Sequence, residues 1–130
     1  MPRPSKKSLL DQHVDDADFL VVDVETTGLS VDSGDRVCEI AAVKLRGGAV
    51  VETFTSLIDP QRPISAGAYA VNQISPTMLR DAPIFSSIAK KLQTMMGGTI
   101  LVAYNAPFDL SFLTNEFRSE ERRVGKECRL

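Results

Sequence analysis

Residues 18–29 read Asp-Phe-Leu-Val-Val-Asp-Val-Glu-Thr-Thr-Gly-Leu. The apolar, β-branched run Phe19–Val24 has the length and composition of a buried strand, and Thr-Thr-Gly bounds it as a turn. Asp23 and Glu25 stand two residues apart. On a strand that spacing sends both carboxylates to one face. Two carboxylates side by side at the end of an apolar run repel each other and lose solvation, each a cost of kcal/mol scale. Such a pair is tolerable where the strand end opens to water or where it binds cations.

Working outward, Ser30–Asp35 is turn chemistry. Residues 36–46 (RVCEIAAVKLR) alternate as a second strand, Gly47-Gly48 signals a hairpin, and 49–58 (AVVETFTSLI) form a third strand. Ala66–Asn72 and Pro76–Asp81 read as short helices. Residues 83–96 (PIFSSIAKKLQTMM) place Ile84, Phe85, Ile88, Leu92, Met95 and Met96 on one face of an amphipathic helix closed by Gly97-Gly98. Residues 99–104 (TILVAY) read as a short buried strand. Asn105 is a good N-cap for a following helix whose apolar face is Phe108, Phe112, Leu113 and Phe117.

The order β-β-β-α-α-α-β-α predicts an α/β fold: three antiparallel strands, then a helical crossover. A right-handed crossover lays the fourth strand beside and parallel to the first. Asp109, in the first turn of the last helix, then comes to the sheet edge that carries Asp23 and Glu25. Alone, Asp109 has a plainer role in favourable interaction with a helix N-terminus. Together the three carboxylates form a hard-oxygen set suited to Mg²⁺ or Mn²⁺. Two such ions roughly 3.5–4 Å apart can activate water and stabilise the leaving oxygen of a phosphodiester.

Composition is ordinary for a globular chain of 130 residues, with 43% hydrophobic and 25% charged side chains. No run approaches the ~20 apolar residues of a bilayer span, and the N-terminus lacks the apolar segment of a secretory signal. These features predict no membrane association. Cys38 and Cys128 are too few for a disulfide scaffold, which points to a reducing, cytoplasmic setting. Cys38 reads as a small core hydrophobe. No phosphate-cradling G-x-x-x-x-G-K is present, which disfavours a P-loop nucleotidase.

The net charge of −2 is unevenly spread. Residues 118–130 (RSEERRVGKECRL) hold five basic and three acidic side chains, leaving 10 basic and 14 acidic in residues 1–117. An acidic body is a poor electrostatic partner for nucleic acid unless cations bridge the two. Three segments are expected: a polar leader over 1–17 with a short helix around Ser8–Val14, a partial domain over 18–117, and a tail over 118–130. The tail reads either as a solvated helix end or as a disordered, non-native segment resembling translated vector sequence.

The stretch FLVVDVETTGL (19–29) resembles the first motif of the DEDD, or DnaQ-like, 3′–5′ exonucleases, which have a ribonuclease H-like fold. LVAYNAPFDLSFL (101–113) resembles their second motif. EIAAVK (39–44), FTSLIDP (54–60) and VNQISPTML (71–79) fit the interval between, so the similarity spans about Asp18–Phe117. The closest resemblance is to the bacterial DNA polymerase III epsilon-type proofreading exonuclease.

The resemblance implies that Asp23 bridges two metal ions, Glu25 ligates one and Asp109 supports the second. It implies that Thr26, Thr27 and Gly28 line a pocket for the 3′-terminal nucleotide and that Leu29 wedges beside the terminal base. Asn105 would order the second-motif turn and Phe108 would pack nearby. Each has a plainer reading: Thr27 and Gly28 only shape the turn, and Leu29 and Phe108 belong to the core.

The implied substrate is a single-stranded DNA 3′ end, with a DNA polymerase catalytic subunit as partner. The family's third motif, H-x4-D, which supplies a general base and a fourth carboxylate, is not found. The single histidine, His13, precedes the first motif, and Tyr104 cannot replace a base at neutral pH. These 130 residues are therefore expected to be inactive or nearly so. The alternatives are a non-catalytic nucleic-acid or polymerase-binding module on the same fold, or a 3′–5′ exoribonuclease.

Overall fold

The computed structural model describes residues 16–127, and the side chains of residues 16–120. The expected leader helix, His13 and Cys128 lie outside these.

Strands β1 (Asp18–Thr26), β2 (Val37–Arg46) and β3 (Ala49–Leu57) form an antiparallel meander. Gly47 and Gly48, at φ 56° and 78°, make the two-residue turn between β2 and β3. Positive φ at both central residues is what a tight hairpin matching the strand twist requires, and glycine adopts it without strain.

Helix α1 (Ala66–Asn72) starts at Ser65, whose hydroxyl accepts the Ala68 N–H at 3.1 Å. Helix α2 (Pro76–Leu79) has Ser75 as its cap and proline in its first turn. It is shorter than the expected Pro76–Asp81. Helix α3 (Phe85–Met96) buries Phe85, Ile88, Leu92 and Met95, the stripe that its spacing predicts.

The crossover then delivers β4 (Ile100–Val102) beside β1 and parallel to it, with Phe19, Leu20 and Val21 paired to Ile100, Leu101 and Val102. The sheet order is β3-β2-β1-β4. This is the mixed sheet anticipated from the sequence. β4 is three residues long rather than the expected six. It ends level with Val21, so the chain turns early and α4 (Ala106–Glu127) begins at the sheet edge. The backbone of α4 is continuous from the body through Arg118 to Glu127.

Alternation along β1 divides the sheet. Leu20, Val22 and Val24 are buried with Ile40 and Ala42 of β2, under Phe85, Ile88, Leu92 and Met95 of α3 and Phe112 and Leu113 of α4. A second cluster joins the fully buried Cys38 to Ile74 and Leu79. Burial pushes the Cys38 thiol up to about 12, consistent with an inert core residue. Phe19, Val21, Asp23 and Glu25 alternate onto the opposite face, where Ile100 and Val102 of β4 remain exposed.

Candidate active site

The site forms where β1 outruns β4. Val24 lies past the last residue paired with β4, and its backbone N–H donates instead to Asp109 Oδ2 at 3.2 Å. Asp109 sits in the first turn of α4, where the Asn105 carbonyl accepts the N–H groups of Phe108 and Asp109 at 3.0 and 3.1 Å. A buried strand N–H without a strand partner is costly, and the carboxylate removes that cost. The same contact fixes Asp109 against the strand that carries Asp23 and Glu25.

Electrostatics at this edge are one-sided. Desolvation pushes the Glu25 carboxyl above its ordinary range, and the charges of Asp23, Glu39 and Asp109 add to the shift. Glu39 is the direct cross-strand neighbour of Glu25, an unfavourable like-charge pairing. Desolvation likewise raises Asp109, with Asp23 adding to it, while the Val24 N–H opposes the shift. Asp23 is exposed on the open face of the sheet.

The donor set therefore fits a divalent cation by chemistry: hard oxygens that repel one another at a strand end. The spacing is open. Among the described residues no group of three or more His, Cys, Asp or Glu is close enough to hold a metal ion. Asp23 and Glu25 belong to the exposed face, whereas Asp109 approaches from the edge.

A cleft of about 370 Å³ adjoins the acidic edge. Val24, Glu25, Thr26, Gly28 and Leu29 line one side. The other side is Ser65, Gly67, Ala68, Val71 and Asn72 of the α1 segment, with Phe108 from α4. Leu29 is 87% exposed and also borders a second, wider cleft along α4 that reaches Asn115 and Arg118. It stands as a ridge between the two rather than in the core. Phe108 lines the cleft and also packs against Phe112 at 4.8 Å between ring centroids, so it belongs to both site and core.

The Thr-Thr-Gly turn has separate duties. Thr26 lines the cleft, and its hydroxyl donates to the Gly28 carbonyl at 2.6 Å. Thr27 does not reach the cleft. Its side chain is fully buried, donating to Asp35 Oδ1 at 2.9 Å and accepting the Arg36 N–H at 3.0 Å. A hydroxyl satisfied in both directions inside the protein anchors the loop and is not free for a nucleotide. Gly28 is required by close approach: a Cβ there would meet the Asp35 carboxylate at 2.3–2.7 Å. Asn105 is exposed and serves the helix start through its carbonyl. Tyr104 is fully exposed.

Two features escaped the sequence. One is the α1 wall, in which Asn72 donates from Nδ2 to the Thr26 carbonyl at 3.2 Å and accepts the Ile74 N–H at 3.0 Å. Its signal was Ser65 capping a helix of small residues. The other is Glu116, buried to 1% exposure and bound by Arg36. Its signal was a charge three and four residues beyond Leu113 and Phe112, on the apolar stripe of α4, where an acid needs a partner.

Comparison with known proteins agrees with this arrangement. A family model described as "Exonuclease", of the RNase T type, matches residues 20–125. A DNA polymerase III subunit epsilon-like protein of Rhodobacter capsulatus is 39% identical over 126 residues, 95% of this chain and 17% of the relative. A PolC-type DNA polymerase III of Oceanobacillus iheyensis is 41% identical over 108 residues, 83% of this chain and 8% of the relative. The chain thus spans less than a fifth of these curated relatives. Among solved structures, exonuclease X in complex with 5′-overhanging duplex DNA matches at TM-score 0.62 and 32% identity, over 73% of this chain and 53% of its own. Product-bound exonuclease I, at TM-score 0.70 and 23% identity over 79% of this chain and 25% of its own, shares the fold. With the family model spanning most of the sequence, and with the strand and helix motifs meeting at one sheet edge, the chain belongs to the DnaQ-like, RNase T-type exonuclease family.

Proposed function

We propose that this chain carries part of the active site of a metal-dependent 3′–5′ exonuclease that hydrolyses DNA phosphodiester bonds to nucleoside 5′-monophosphates, in proofreading or repair. The observation that carries the reading is the uncompensated acidic edge. Asp109 is buried and held on Val24 beside Asp23 and Glu25, and desolvation, with neighbouring like charges adding to it, raises both Glu25 and Asp109. Asp23, Glu25 and Asp109 would hold Mg²⁺ or Mn²⁺. Bound there, the ions supply Lewis-acid charge and an activated water.

The rest of the site serves the substrate end. Thr26, Gly28 and Phe108 line a cleft that would take the 3′-terminal nucleotide, and the exposed Leu29 beside it would part the terminal base from its neighbour. A single-stranded 3′ end is the substrate, delivered by a DNA polymerase catalytic subunit. No helix among the described residues is long and apolar enough to cross a membrane, and a cytoplasmic site of action fits a replication role.

The only histidine, His13, precedes the first motif. With no imidazole base behind Asp109, the 130 residues by themselves turn over DNA slowly or not at all. The test is a 3′-labelled single-stranded oligonucleotide with Mn²⁺, offered to this chain and to one extended by the third motif. The extended chain should release 5′-mononucleotides, and Asp23→Ala should abolish release. Robust degradation by the 130-residue chain would overturn the inactivity. A ribo-oligonucleotide in parallel separates an exoribonuclease from a DNA enzyme.

The open spacing of the carboxylates favours a second reading, a nucleic-acid or polymerase-binding module on the same fold. Binding without cleavage by the extended chain would support it.

A further inference from the structure

Asp109 and Glu116 are seven residues apart on α4, two turns and about 10 Å along one helix face. Both are buried, and both accept a backbone N–H from the end of a strand. Asp109 takes that of Val24 near the end of β1, at 3.2 Å, and Glu116 takes that of Val37, the first residue of β2, at 3.1 Å. Glu116 is also gripped by Arg36, with Nε donating to Oε2 at 2.9 Å and Nη2 donating to Oε1 at 2.6 Å. A bidentate fork of this kind fixes orientation as well as distance.

Arg36 belongs to the loop that Thr27 anchors, since the Arg36 N–H donates to the Thr27 hydroxyl and the Thr27 N–H to the Arg36 carbonyl at 2.9 Å. One chain of contacts thus runs from the first-motif turn through Arg36 and Glu116 to α4, and back through Asp109 to β1. We infer that Arg36 and Glu116 are positioning residues that hold the first turn of α4, and with it the Asp109 carboxylate, on the Val24 N–H. The inference rests on the reading of Asp109 as a site carboxylate, but its test needs neither metal nor turnover.

The test is amide hydrogen exchange, residue by residue by NMR, on the full chain. Asp109→Ala removes the acceptor and marks the signature of an unprotected Val24 N–H. Glu116→Gln should reproduce it, speeding Val24 exchange roughly tenfold or more, the worth of a lost charge-assisted contact. The amides of Ile40 and Ala42, in the centre of the sheet, should keep their rates. Arg36→Lys retains a counter-charge but not the fork, and should give a smaller acceleration. In the double variant Glu116→Gln/Asp109→Ala, Val24 should exchange no faster than in Asp109→Ala alone.

Val24 exchange unchanged by Glu116→Gln would overturn the inference. So would acceleration shared equally by Ile40 and Ala42, which marks general loosening. A Val24 response in a chain that binds no Mn²⁺ supports the positioning role while removing the proposed function.

Discussion

Asp109 and Glu116 share a helix face, a buried setting and a backbone N–H to accept, yet their electrostatic surroundings are opposite. Glu116 has Arg36 in a bidentate grip. Asp109 has desolvation and then Asp23 acting against its ionisation, and only the N–H groups in its favour. An acid that merely docks a helix is best served by its own counter-charge, because a lone buried charge is costly. An acid left among like charges spends stability, and a cation is the simplest agent that would restore it. The contrast sets the Glu116 half of α4, which docks on β2 through Arg36, apart from the Asp109 half, which carries the proposed cation site.

The largest effect should come from stripping the compensated acid of its partner. Arg36→Ala strands Glu116 and is expected to cost about 3 kcal/mol or more, read from the urea midpoint at constant m. A loss below ~1 kcal/mol would erase the difference between the two acids.

Next is the turn beside the acidic strand. Gly28→Ala drives a methyl into the Asp35 carboxylate and should cost about 1–3 kcal/mol. A neutral result would mean that the 30–35 loop yields freely and does not hold Arg36 in place.

Asp109→Asn should change stability by less than about 1 kcal/mol, in either direction, because its carbonyl still accepts from Val24 while the repulsion disappears. It should nevertheless abolish 3′ release by the extended chain. Equal destabilisation by Asp109→Asn and Glu116→Gln would break the comparison.

The smallest effect is in pH. Glu25 and Asp109 are raised above their ordinary values of 4.5 and 3.8. As pH rises past those values the unfolded carboxyls release protons first, so the folded state binds more. The contribution of the pair is therefore fully present below the ordinary values and is lost as pH climbs through the raised folded ones. Asp18 and Glu52, lowered by Arg46 and Lys91, act in the opposite sense. The difference between wild type and Asp109→Asn isolates the acidic edge. Wild type should lose stability relative to the variant as pH rises above about 4, and parallel urea midpoints would argue against a raised Asp109.

Much of this fold is written in local sequence signals. The apolar, β-branched run Phe19–Val24 marked β1, Gly47-Gly48 marked the hairpin, and Phe85, Ile88, Leu92 and Met95 marked α3. Crossover handedness then placed β4 beside β1 and brought Asp109 to Asp23 and Glu25. What stayed hidden depends on contacts between distant residues. Nothing near Glu116 reveals Arg36, 80 positions away. Nothing local to Thr27 shows that Asp35 and Arg36 use its hydroxyl, and nothing local to Gly28 shows the Asp35 carboxylate lying against it. The length of β4 also eluded the pattern, because an apolar run does not tell where α4 must begin for Asp109 to meet Val24.

The acidic edge of β1 is proposed above as a divalent-cation site. Titrating Mn²⁺ into the isotope-labelled full chain and following paramagnetic broadening tests it most directly. The amides of Asp23–Thr26 and Phe108–Leu110 should broaden first, and Asp23→Asn should remove that preference. Broadening that begins at other acids such as Asp32, Asp59 or Asp81, or that is unchanged in Asp23→Asn, would contradict it.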